Sequence, residues 1–483
     1  MATVQTQPVR SGFSALSDHE RQEALSFLLV SDEDAVLDGA WEDRPLAKSA
    51  TLSPSPIEAT SEQSSTSQSS LESSRSPSPS SSQLASPSAS LLIRSKCQGW
   101  ERSFELHQDW PIPTIEQEDE VLIQHKSVGL NPVDYKSVLY NFGIPQSPWV
   151  LGRDVCGVVK EVGKNVKHLL PGQRVWTCAD SRDRRSGAYQ GFSVAKAVHI
   201  GLVPDIIQDE QAATLGTGLI TAAISAFWFF RWPRASQLTG GNVEAVATSS
   251  KDRISASPSF MPQENSPWVL IYGGGAITGI FLAQLARLSG SRVIAVASSS
   301  NIDYLTSAQV GVSHCIDRFL PQEEIAEKVR SICENDGGLQ FIVDTVGSKT
   351  AGFSYDLAAN IGTSSSTLPP AQMICLAGDP KNPQKGSKDV IVHRISFSTT
   401  FYGDDVFATQ LLQDLTKLMQ QKQLHPVKYE IVPDGLAGVR KGLERLRDNQ
   451  APRACKLIVN VADTPDAQLT HLGVRAELGW NGV

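Results

Sequence analysis

With 483 residues, 40% hydrophobic content, 36 glycines and 27 prolines, the chain has a globular composition and the length for two or three domains. Of its net charge of −8, most sits in residues 1–90, where 5 Lys and Arg stand against 12 Asp and Glu. The remainder is near neutral, which argues against a nucleic-acid surface. There is no apolar run near the roughly 18 residues of a membrane span and no leader pattern at the N-terminus, so a cytosolic protein without a membrane partner is expected.

In chain order, "LSDHERQEALSFLLV" comes first, with Ser17 and Glu20 at capping-box spacing and Leu25, Phe27, Leu28 and Leu29 as a short apolar face. It reads either as a docking helix or as a transient helix in a disordered tail. Residues from about 50 to 90 are Ser/Pro-rich and too poor in apolar surface to offset the entropy of ordering; they are expected to be a disordered linker. From residue 91, "SLLIRS", "EVLIQHKSVGL", "VCGVVKEVG" and "PGQRVWT" have strand patterns broken by Gly and Pro, the mark of a compact β-rich domain. "DEQAATLGTGLITAAISAFWFF" reads as helix, and the polar stretch between Trp232 and Pro267 as an inserted surface loop. Strand "WVLIYG", a helix over 279–289, strand "RVIAVA", a helix near 302–310, and strands "FIVDTV" and "QMICLAG" then alternate as in a parallel α/β sheet. "HPVKYEIVPDGLAGVRKGLERLR" and "CKLIVNV" close with strand, helix, strand. The seven cysteines (97, 156, 178, 315, 333, 375, 455) include no Cys-x-x-Cys pair and read as reduced thiols.

The most informative stretch is "LIYGGGAITGIFLAQLARLSGSRVIAVASSSN", residues 270–301. A buried strand runs into clustered glycines and a helix, as in a dinucleotide-binding turn. The three fingerprint positions fall on Gly274, Ala276 and Gly279. Alanine at the middle position moves a pyrophosphate slightly outward. Gly273 and Gly275 keep the backbone pliable, and the amides of Ile277 and Thr278 at the helix start face a phosphate. The second strand ends in Ser298, Ser299, Ser300 and Asn301. An NAD site places an acid there, whereas a 2′-phosphate repels a carboxylate and prefers hydroxyls, amides or cations, so NADPH is the expected cofactor.

Residues 91–462 resemble the medium-chain dehydrogenase/reductase superfamily and, within it, the zinc-independent quinone oxidoreductase branch. The residues that carry the likeness are "GLNPVDYKS", "LGRDVCGVVKEVG", "PGQRV", "GAYQGFSV", "QAATLGTGLITAA" and "GLAGVRKGLERLR" in the family's order. "YGGGAITG" and "SSSN" are most similar to the fungal enoyl reductases that act in trans with polyketide synthases, with Ser300 where those carry a basic residue. The resemblance implies a doubly wound Rossmann sheet plus a GroES-like β-rich catalytic domain behind a disordered N-terminal extension. The implied boundaries are 1–90 for the extension, 91–225 and 404–462 for the catalytic domain, 226–403 for the Rossmann domain with an inserted loop at 233–266, and 463–483 for a tail. Where the zinc-dependent branch has a Cys and Gly-His-Glu, this chain has "VGLNPVD" and Gly152-Arg153-Asp154, so no metal is expected.

By the same resemblance Lys136 is the catalytic candidate. Asn131, Asp134 and Thr221 are candidates beside the nicotinamide, and Leu376 and Ala377 are further cofactor contacts. Without a metal Lewis acid, the accessible chemistry is hydride delivery to a conjugated carbon–carbon double bond, helped by an electrophile near the carbonyl oxygen or a proton donor near the α-carbon. The expected substrate is a free or carrier-bound enone, with a polyketide synthase as possible partner. The alternatives are a general quinone oxidoreductase and a non-catalytic protein that keeps NADPH as a scaffold or sensor.

Overall fold

Alternation of apolar and polar residues builds the first half of the chain. In the computed structural model, strands β1 (Ser88–Ile93), β2 (Phe104–Trp110), β3 (Glu120–Gly129), β4 (Trp149–Val150), β5 (Asp154–Val162), β6 (Arg174–Cys178), β7 (Phe192–Lys196) and β8 (Ile200–Leu202) form two sheets. Leu91, Leu92, Ile93, Val121, Ile123, Val155, Val159 and Val175 point into their shared core. Helix α1 (Pro132–Tyr140) leaves the end of β3. Helices α2 (Asp209–Ala212) and α3 (Gly216–Ala223) carry the chain onward, and a π-helical turn (Ile224–Phe229) follows.

The structure describes residues 88–93, 100–140, 143–180, 182–234, 266–333, 336–361, 369–381, 389–470 and 472. All of these fall in one compact unit. The expected N-terminal helix, residues 50–87 of the expected linker, residues 235–265 of the expected loop and the end of the tail lie outside them.

The second half is a six-stranded sheet of β9 (Trp268–Tyr272), β10 (Arg292–Ala297), β11 (His314–Asp317), β12 (Leu339–Asp344), β13 (Ala371–Cys375) and β14 (Val390–His393). Its order is β11-β10-β9-β12-β13-β14 and every pairing is parallel. All five residues of β9 and all six of β12 are buried, because helices cover both faces of a parallel sheet. The helices that follow its strands are α4 (Ile277–Leu288), α5 (Ile302–Thr306), α6 (Gln322–Cys333) and α7 (Ser348–Asn360). This is the doubly wound arrangement, in which ligands lie outside the carboxyl ends of the strands where the order reverses, here at β9.

After α8 (Asp405–Gln420) the chain returns to the first sheet. β15 (Lys428–Ile431), α9 (Gly435–Arg447) and β16 (Cys455–Asn460) are followed by β17 (Leu469–Thr470), and β16 pairs antiparallel with β3. No helix among the described residues is long and apolar enough to cross a membrane.

The fold class is the one implied by the resemblance, with differences in detail. Ser88 to Ser90, expected in the linker, begin β1, where Ser90 is buried. β17, within the expected tail, pairs with β2. The apolar stretch from 209 is three short helical pieces rather than one helix. Helix α5 stops at Thr306, because Ser307 turns extended and Gly311 takes a positive φ of 82°.

Candidate active site

Strand β3 ends where Leu130, Asn131 and Pro132 hand the chain to α1. The Asn131 amide donates to Asp134 Oδ2 at 2.9 Å and the Asp134 amide to the Asn131 carbonyl at 3.1 Å, so Asp134 secures the start of α1. The same carboxylate oxygen accepts the Tyr189 hydroxyl at 2.7 Å. Burial pushes the Asp134 carboxyl up to about 6, with the Tyr189 bond and the Arg153 charge opposing the rise. Lys136 lies half-buried on α1.

With its backbone held, the Asn131 side chain meets β16. Lys456 Nζ donates to Asn131 Oδ1 at 2.5 Å and to Asp154 Oδ2 at 2.6 Å. Asp154 Oδ1 accepts the Thr217 amide at 2.7 Å and its hydroxyl at 2.6 Å, at the start of α3. Lys456 is 3% exposed and Asp154 0%, so these bonds replace the water that each charge gave up. Glycines make room for the pair. A Cβ on Gly129 would stand 2.8 Å from Lys456 Cε, and one on Gly216 would stand 2.8 Å from Asp154 Cβ. Arg153 is also buried, so two cations balance the two carboxylates Asp134 and Asp154. Among the described residues, no group of three His, Cys, Asp or Glu side chains is arranged to hold a metal ion.

The second cluster is the glycine turn. Gly273 has φ 86°, and a Cβ there would collide with Thr345 Oγ1, which donates to the Gly273 carbonyl at 3.0 Å. The Gly273 and Gly274 amides both donate to the Val296 carbonyl, fixing the turn against β10. Ala276 caps α4 with no side-chain acceptor, so the first amides of a 12-residue helix are offered to a ligand. A Cβ at Gly275 would stand 3.3 Å from Asn301 Nδ2, which brings the glycine turn and the end of β10 together. Ser298 is half-buried and Ser299 and Ser300 are exposed. Beside them, the Arg318 amide donates to the Ala297 carbonyl at 2.9 Å, and the exposed guanidinium stacks 4.6 Å from the Phe319 ring centroid. Its charge is felt at Tyr272, at the end of β9, where it opposes the upward push of burial on the phenol.

Residues 117–217 match the alcohol dehydrogenase GroES-like domain family. The trans-enoyl reductase ACTTS2 of Alternaria alternata is 29% identical over 54% of this chain and 68% of its own length. The trans-enoyl reductase resD of Aspergillus sclerotiorum is 28% identical over 74% of this chain and 96% of its own length. An alcohol dehydrogenase superfamily protein from Novosphingobium aromaticivorans superposes with a TM-score of 0.59 at 19% identity, covering 77% of this chain and 99% of that one.

The domain match, the relatives and the shared fold together support a protein of the medium-chain dehydrogenase/reductase superfamily. Within that superfamily it lies near the fungal trans-enoyl reductases. The residues present fit the superfamily's dinucleotide. The Gly273–Gly275 turn is cleared for close backbone approach, the start of α4 presents amides, and the end of β10 presents hydroxyls and no acid.

Of the residues singled out by the sequence, Asn131 and Asp134 fall in one buried hydrogen-bonded cluster. Gly274, Gly275, Ala276, Ile277, Thr278 and Gly279 adjoin Ser298–Asn301 in the second. Thr221 lies on α3, which joins the two clusters, since a Cβ on Gly218 would stand 2.7 Å from Ile277 Cγ2. Leu376 and Ala377 follow β13, with the Leu376 amide bonded to the Asp344 carbonyl at 2.8 Å.

Sequence reading missed Lys456, Arg318 and Asp344. The first sits in an apolar strand and is invisible without its partner. Arg318 follows β11 and Asp344 ends β12, and for Asp344 the "DTVG" turn is a usable signal.

Asp344 braces the turn that follows β12. Its Oδ1 accepts the Val346 and Gly347 amides at 2.9 and 3.0 Å, while Oδ2 is buried without a partner among the described residues. Burial raises its carboxyl to about 6, so the folded chain holds the proton more tightly than the unfolded one. Its stabilising contribution is full below about pH 4 and is lost as pH rises through 6. Asp344→Asn removes this dependence. Urea titrations from pH 4 to 7 are expected to show the unaltered protein losing about 2 kcal/mol relative to the variant. Parallel curves would refute the assignment.

Proposed function

We propose that the chain is an NADPH-dependent, zinc-independent reductase of conjugated carbon–carbon double bonds, acting on an enone or enoyl thioester of polyketide type. The observation that carries this reading is the likeness to fungal trans-enoyl reductases, which for resD runs over 96% of that protein and so takes in both clusters of the site. The six free cysteines among the described residues are compatible with a cytosolic enzyme.

The glycine turn, the start of α4 and the end of β10 would hold NADPH, which would supply the hydride for the β-carbon of the substrate. Negative charge then grows on the substrate's carbonyl oxygen, and the α-carbon needs a proton. The chain's part is to place donors at that oxygen in a site shielded from water. Lys136, half-buried on α1, is the proton donor or charge partner. Asp134 and Tyr189 fix the turn that carries it.

At the other end, Ser298, Ser299, Ser300 and Asn301 donate to the 2′-phosphate. Arg318 supplies the cation that the tetrad lacks, from the neighbouring strand end. Arg318→Ala is expected to weaken NADPH binding about tenfold and leave NADH binding unchanged, read by fluorescence titration of both cofactors. Equal weakening of both would remove Arg318 from the 2′-phosphate site. The function itself is tested by NADPH consumption with a panel of enones, quinones and ketones. Turnover is expected with enones, and turnover restricted to quinones would replace this reading.

A further inference from the structure

Lys456 and Asp154 form a buried ion pair that the chemistry above does not use, and one polar atom of the cluster is left over. Asn131 Oδ1, both oxygens of Asp154 and Oδ2 of Asp134 all have partners, but Asn131 Nδ2 is buried with none among the described residues. Asn131 itself is 5% exposed. A buried donor without an acceptor is costly, and such an atom in a ligand site marks where the ligand's acceptor goes.

We propose that Lys456 is a positioning residue that sets the Asn131 amide so that Nδ2 donates to the substrate's carbonyl oxygen as negative charge builds there. The proposal rests on the reductase reading and assigns that reading its electrophile.

The direction of the amide follows from chemistry. An ammonium has three donors and no acceptor, so only the oxygen of a carboxamide can face it, and the nitrogen must point the other way. Asp154 holds Lys456 in place, and Thr217 holds Asp154 in place from α3. Gly129 and Gly216 leave no slack around the pair, since a Cβ on either would crowd it. An ammonium on the amide oxygen also draws electron density through the amide and strengthens the donor at its nitrogen. During reduction the hydride bonds to the β-carbon, the π pair shifts toward oxygen, and the enolate is then protonated at the α-carbon. Asn131 keeps both of its amide protons throughout and is strongest as a donor when the oxygen is most negative.

A double-mutant cycle tests this, with the N-acetylcysteamine thioester of crotonic acid as substrate. Asn131→Ala removes the donor. Lys456→Met with Asp154→Asn removes the ion pair without leaving a lone buried charge, and the carboxamide oxygen that replaces the carboxylate still accepts from Thr217. We expect Asn131→Ala to lower kcat about 100-fold and the ion-pair variant to lower it at least tenfold, with NADPH dissociation constants within about threefold of the unaltered protein. The two changes combined should be no slower than Asn131→Ala alone, because Lys456 acts through Asn131. Effects that multiply would overturn the proposal.

A second readout needs no turnover. The carbonyl stretch of ¹³C-labelled thioester, bound with NADP⁺, should be shifted to lower frequency in the unaltered protein and much less in either variant; equal shifts in all would also overturn it. Should the ion-pair variant not fold, Lys456→Gln in place of Lys456→Met, with Asp154→Asn kept, serves instead. Its amide offers both a donor and an acceptor and so no longer dictates which end of Asn131 faces it, and about a tenfold loss of kcat with a reduced carbonyl shift is expected. An unaltered protein that binds the thioester but consumes no NADPH refutes the reductase reading, while the carbonyl shifts still decide the positioning. One that neither binds nor turns over refutes both.

Discussion

Lys136→Ala is expected to lower kcat about 100-fold while the NADPH dissociation constant stays within about threefold. The lysine lies on α1, whose first turn is fixed by Asp134, Tyr189 and the Asn131 backbone, so its stem starts from a rigid base. A group that donates a proton, or meets charge formed only as hydride arrives, contributes to the transition state and little to the ground state, typically by about 10²- to 10⁴-fold. Stopped-flow turnover together with fluorescence titration separates the two parameters. If kcat holds and KM alone rises, Lys136 binds substrate and the proton comes from elsewhere.

Asp154→Ala is expected to destabilise the fold by about 3–5 kcal/mol, the usual cost of leaving a buried ion without its partner. Lys456 would remain 3% exposed with only the Asn131 oxygen as acceptor, and the Thr217 amide and hydroxyl would lose theirs. The pair ties β5 and β16 to α3, so the loss falls where the two halves of the chain meet. Lys456→Met added to Asp154→Ala removes the stranded charge and is expected to recover part of the stability, as read from denaturant midpoints. If Asp154→Ala costs less than about 1 kcal/mol, the charge has found water and the cluster is wetter than its burial indicates.

The doubly wound sheet was legible because its strands are continuous apolar runs and its first turn is glycine-rich. Those local patterns place β9, β10, β12, β13 and α4 to within a few residues. β11 and α6 were passed over: "HCID" is too short and polar to read as a strand, and α6 has only Ile325, Ala326, Val329 and Cys333 buried among charged residues. The glycine turn and the serine tetrad could be read as a cofactor site because they are contiguous in sequence. The Asn131–Lys456–Asp154 cluster could not, since Lys456 stands 325 residues from Asn131 and 302 from Asp154 and meets them only through the antiparallel pairing of β16 with β3 and of β3 with β5. Arg318 belongs to the same class: its backbone meets Ala297, next to the serine tetrad, only because β11 lies beside β10.

Hydride delivery to the β-carbon of a conjugated carbonyl is tested most directly by isotope tracing. NADPH deuterated at the transferring position of the nicotinamide is incubated with the protein and the crotonyl thioester, and the product is examined by ²H NMR and mass spectrometry. One deuterium at the β-carbon of a saturated thioester, formed one-for-one with NADP⁺ and unaffected by a zinc chelator, is the predicted result. Deuterium at the carbonyl carbon of an alcohol or aldehyde, or no deuterium in any product while the cofactor remains bound and reduced, would contradict it.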